Sequence, residues 1–121
     1  MEKLTDVDKL ESLKSLQSTI SKLENAISQM TDNGTNTTLA KKRLKAVCIG
    51  LAALENIWNQ SSHQYTQEDV RAARNVITGL LPSINNSFTK SKTGSPQRTL
   101  LARRIKALEL AVQAIDVLSV E

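Results

Sequence analysis

Four stretches of the chain carry the same apolar rhythm, and that rhythm leaves few folds open. Leu13, Leu16, Ile20, Leu23, Ile27 and Met30 step by three and four residues without a miss. Ala40, Leu44, Val47, Leu51, Leu54 and Trp58 repeat the pattern, as do Val70, Ala73, Ile77, Leu80 and Ile84, and then Leu101, Ile105, Leu108, Val112 and Ile115. Steps of three and four keep apolar side chains on one face of an α-helix. Four such helices hide four stripes by packing around one core.

Turn signals divide the stretches. Asn33-Gly34 lies in a run of Asn and Thr, and Thr37 or Thr38 is placed to cap the next helix. Thr66-Gln-Glu-Asp69 reads as an N-cap followed by acids in the first turn. Ser95-Pro96 reads as an N-cap with proline at the first helical position. The expected helices are 6–30, 39–60, 67–88 with a kink near Pro82, and 97–119. Their connectors are short, so successive helices run in opposite directions. The expected architecture is all-α, an antiparallel up-down-up-down four-helix bundle forming one domain over residues 1–121. In the first stripe the flanking Ser12, Thr19 and Ala26 are small and uncharged. This favours a close intramolecular neighbour over a two-stranded zipper. Gly50 inside the second helix is expected where another helix comes close. Trp58, in stripe register, is expected to lid the core.

Composition excludes much chemistry. The chain has one cysteine, Cys48, and one histidine, His63, too few for an internal disulfide or a zinc site. Cys48 falls on the inward face of its helix and reads as a small core hydrophobe. A di-iron bundle needs inward Glu-x-x-His pairs, and none occurs. The Gly-x-x-x-x-Gly-Lys frame of a phosphate loop is also missing. We therefore expect no catalytic residues, no cofactor and no metal. No apolar run approaches the length of a bilayer span. The charged start, Met1 to Lys9, lacks the apolar segment of a signal peptide, and the expected location is the cytoplasm.

Charge supplies the functional lead. The net charge is +4, but the antiparallel topology concentrates ten of the sixteen Lys and Arg residues at the end holding the 31–38 turn and the 89–96 connector. Glu24 and Asp32 are the acids assigned there, while Asp6, Asp8, Glu11, Asp69, Asp116 and others gather at the opposite end. The second and fourth helices open with cations, against the preference of helix N-termini for acids. The expected binding set is Lys41, Lys42, Arg43, Lys45, Arg98, Arg103, Arg104 and Lys106. Together they suggest a non-enzymatic interaction module that holds an acidic protein partner on a basic pole. A nucleic-acid-associated protein held by phosphate contacts is the second reading. A homodimer paired through the first helix is the third.

Overall fold

The computed structural model describes residues 4–119. Four helices account for nearly all of it: α1 (Asp6–Asp32), α2 (Thr38–Asn59), α3 (Gln67–Lys90) and α4 (Pro96–Ser119). Side-chain contacts fix their directions. Glu11 meets Arg103 while Ser18 and Leu100 line the same hollow, so α1 and α4 are antiparallel. Lys45 meets Asp69 while Leu39 sits by Leu80, so α2 and α3 are antiparallel. Arg74 meets Asp116 while Phe88 meets Arg98, and α3 and α4 follow the same rule. The result is the up-down-up-down bundle.

The helix starts follow from local chemistry. The Thr5 hydroxyl accepts from the Asp8 N–H at 3.0 Å, and the Thr5 N–H donates to the Asp8 carboxylate at 3.2 Å. Thr66 and Asp69 form the same reciprocal pair. At α4 the Ser95 hydroxyl accepts from the Arg98 N–H at 3.2 Å, with Pro96 opening the helix. Thr37 occupies the N-cap of α2 without a side-chain cap bond; the Asn36 side chain instead accepts from the Thr38 N–H at 2.9 Å. α3 continues through Pro82 to Lys90. Proline lacks an N–H, so the Thr78 carbonyl loses its usual intrahelical donor there.

The four helices are not equivalent. Every pair packs together except α1 with α3. Thus α2 and α4 form a parallel inner pair, with α1 and α3 on opposite flanks. Gly50 makes this possible: a Cβ there would lie 3.1 Å from the Ala111 Cβ and 3.2 Å from the Ile77 Cδ1. The inner helices bury wide faces, because each touches three neighbours. On α2 these are Ala46, Val47, Ile49, Gly50, Ala53 and Leu54. On α4, Leu101, Ala107, Leu108, Leu110, Ala111, Ala114, Ile115 and Leu118 are buried. α1 fully buries only Ser12 and Leu16, and α3 only Val70, Ala73 and Ile77. Ile27, Met30, Ile84 and Phe88, toward the ends of the outer helices, are half-buried.

Trp58 and Tyr65 pack partly buried against the core. The Lys9 ammonium stands 5.9 Å from the Trp58 ring centre. Cys48 is half-buried; burial, with the Glu24 charge second, pushes its thiol pKa up, the wrong direction for a reactive thiolate. No helix among the described residues is long and apolar enough to cross a membrane.

Candidate functional site

The eight basic residues singled out by sequence do not form one cap. Six of them line two grooves on opposite flanks of the bundle, Lys41 lies beside one groove, and Arg98 stands apart.

Arg103, Arg104 and Lys106 belong to the groove between α1 and α4. Its upper part is a hollow of about 220 Å³ that also includes Lys14, Ser15, Ser18 and Leu100. One of its charges is answered by an ion pair. The Arg103 Nε lies 3.7 Å from the Glu11 carboxylate. Asp8 and Lys106 share the adjoining crevice, and Asp8 is held below the ordinary carboxylate pKa first by the Thr5 N–H, then by the Thr5 hydroxyl, with the Lys106 charge assisting. The Arg104 Nε is buried and finds no hydrogen-bond partner among the described residues.

Arg98 belongs to neither groove. Its guanidinium lies 4.1 Å from the Phe88 ring centre and donates to the carbonyls of Phe88 and Ser91, both at 3.0 Å. The Ser91 carbonyl, at the cap of α3, lacks an intrahelical donor, and the Phe88 carbonyl also accepts from the Ser91 N–H at 3.1 Å. Arg98 therefore ties the α3–α4 connector shut, a structural task that sequence placement alone does not reveal.

Lys42, Arg43 and Lys45 line the groove between α2 and α3, with Lys41 exposed beside them on α2. Lys45 is engaged: its ammonium is 3.2 Å from Asp69, and this contact, with the Thr66 N–H second, lowers the Asp69 pKa. Lys41, Lys42 and Arg43 are exposed and make no ion pair with any described residue. Helix α2 has no acid in its first turn to answer them. Below these cations lie Ala46, Ile49, Ala73, Val76 and Leu80, and Leu39 at the groove's end is 58% exposed.

The acids moved because the helices are staggered. The 60–66 segment runs back beside Ala52, where Ser62, His63 and Tyr65 line one surface. Helix α3 therefore starts opposite Lys45 rather than opposite the end of α2, and Asp69 reaches into the basic half. Likewise α1 begins alongside Lys106, so Asp8 and Glu11 lie among the cations of α4. Glu2 and Glu121, counted with the opposite end in the sequence, fall outside the described residues. No cluster of three or more His, Cys, Asp or Glu that could hold a metal ion occurs among the described residues.

No family model, curated protein or solved structure matches the chain.

Proposed function

We propose that the chain is a small non-enzymatic interaction module that binds an acidic protein partner through the basic opening of α2. One observation carries this reading: Lys41, Lys42 and Arg43 are exposed, successive and unanswered by any acid among the described residues. Cations on exposed helix faces are ordinary, but Lys42 and Arg43 border apolar side chains that also reach solvent, Leu39 and Val76. Charge next to accessible apolar surface suits a protein partner, which can answer both. A nucleic acid backbone would use only the charge. The lone cysteine makes a reducing compartment, the cytoplasm, the natural setting for the proposal.

The test compares the parent with the triple variant Lys41→Gln, Lys42→Gln, Arg43→Gln. The immobilised parent is expected to retain a protein rich in Asp and Glu from a cell extract, and the variant to lose it. A mobility-shift assay with a DNA duplex from about 50 to 200 mM salt separates the nucleic-acid reading. Binding to DNA at the low end, with no acidic protein retained, overturns the proposal. A stable dimer at micromolar concentration in sedimentation, paired through α1, would favour the homodimer instead.

A further inference from the structure

The groove between α2 and α3 is more than a charged edge. Two hollows, of about 190 and 240 Å³, follow one another along it. Lys42 and Val76 line both, so the hollows are continuous. From Leu39 to Ile49 the α2 wall rises by ten residue steps, about 15 Å at 1.5 Å per residue. The depth comes from small side chains. Ala46, Ala72 and Ala73 line the first hollow, and Gly79 lines the second. A Cβ built on Gly79 would meet nothing within 4 Å.

The two rims differ. The α2 rim carries Lys42, Arg43 and Lys45. The α3 rim carries Asn75, which is neutral, and Asp69, which Lys45 already holds. Free positive charge therefore lies along one side of an apolar floor. Both walls are helices whose interior peptide groups bond within their own helix. An extended guest would find few backbone partners here and would leave its own N–H and C=O groups unpaired wherever the groove excluded water. A helical guest brings those bonds with it and needs only side-chain complementarity.

We infer that the acidic partner presents an amphipathic α-helix, which lies along the α2–α3 groove with its apolar stripe on Leu39, Val76 and Leu80 and its carboxylates toward the α2 rim. The inference rests on the proposed acid-binding role and adds the shape of the ligand. About three turns of guest helix match the groove's length. Its apolar positions fall at i, i+3, i+4 and i+7, with Glu or Asp flanking one side of that stripe.

Two labelled peptides of about 15 residues and identical composition test it by fluorescence anisotropy at about 50 mM salt. One segregates Leu and Glu into the stripe and flank described above; the other scrambles them. The striped peptide is expected to bind at least about tenfold tighter. Gly79→Leu, which fills the second hollow, is expected to weaken the striped peptide about tenfold and to leave the scrambled one unchanged. Helical circular dichroism and an undiminished melting temperature verify that this variant folds. Lys42→Gln with Arg43→Gln is expected to weaken both peptides.

Equal binding of the two peptides, lost on removing the cations but indifferent to Gly79→Leu, overturns the inference and leaves the acid-binding role standing. Failure of both peptides to bind at this salt overturns both. A dimer in sedimentation that Gly79→Leu returns to monomer would show the groove occupied by a second copy, and that also overturns the inference.

Discussion

Two grooves of this bundle carry Lys and Arg, and the acids beside them are placed differently. Between α1 and α4, Arg103 faces Glu11 and Lys106 shares a crevice with Asp8. Between α2 and α3, Lys45 is held by Asp69, while Lys41, Lys42 and Arg43 face solvent. The tied cations are opposed by acids near the starts of α1 and α3, including both capping-box aspartates. An acid that caps a helix also sets the local charge of whatever the helix start lies against. Lys41, Lys42 and Arg43 meet no such acid among the described residues.

The contrast can first be tested through packing. Leu16, fully buried on α1, anchors the flank that carries the tied groove. Leu16→Ala is expected to destabilise the protein by about 2–5 kcal/mol, read as a lower urea midpoint at unchanged slope. Val76, half-buried in the floor of the open groove, has less contact to lose. Val76→Ala is expected to cost under about 1.5 kcal/mol. Equal losses at the two sites would mean that the open groove is as closely packed as the core.

Glycines sharpen the same comparison. Gly79 borders the open groove with nothing near its absent side chain, so Gly79→Ala should gain about 1 kcal/mol from helix propensity alone. Gly50 lies where α2 meets α4, and the same substitution there presses on Ala111 and Ile77. We expect Gly50→Ala to show none of that gain and Gly50→Leu to lose about 1–3 kcal/mol by overpacking. Thermal melts of the three variants would read these differences directly.

The smallest expected effect concerns pH. Asp8 and Asp69 both have pKa values depressed in the fold. Their stabilising contribution is present above the ordinary carboxylate pKa of about 3.9. It is lost as pH falls through the lower folded values. Lys45→Ala removes the contact that does most to lower the Asp69 pKa and should lower stability modestly at neutral pH. The gap between parent and variant should narrow as the pH is taken from about 5 to about 2. Because both carboxylates still reach solvent, salt should weaken the effect.

The bundle was legible because its cause is local: unbroken three-and-four spacing, Ser95-Pro96, Thr66 with Asp69, and a glycine where two helices touch. The relative burial of the helices was not. Ala46, Ile49, Gly50 and Ala53 lie off the simple stripe of α2, and they are buried because α2 meets three helices rather than two. Periodicity reports which face turns inward; it does not report how many neighbours that face will meet. The basic site was legible in Lys41, Lys42 and Arg43, and misleading in Arg98 and Arg103. Arg98 depends on the carbonyls of the α3–α4 connector, and Arg103 on where α1 begins along α4. Two signals were nonetheless present. Thr5-x-x-Asp8 repeats the capping pattern of Thr66-x-x-Asp69, and Phe88 stands ten residues before Arg98, across one short connector.

The most direct measurement compares two charge-removal variants for binding to one acidic amphipathic peptide. One replaces Lys41, Lys42 and Arg43 with Gln; the other replaces Arg103 and Lys106 with Gln. Both are expected to remain folded, since exposed changes of this kind cost about 0.5 kcal/mol each. The account predicts that the first loses at least about tenfold in affinity while the second stays close to the parent. Retained binding in the first variant, or an equal loss in both, would contradict it.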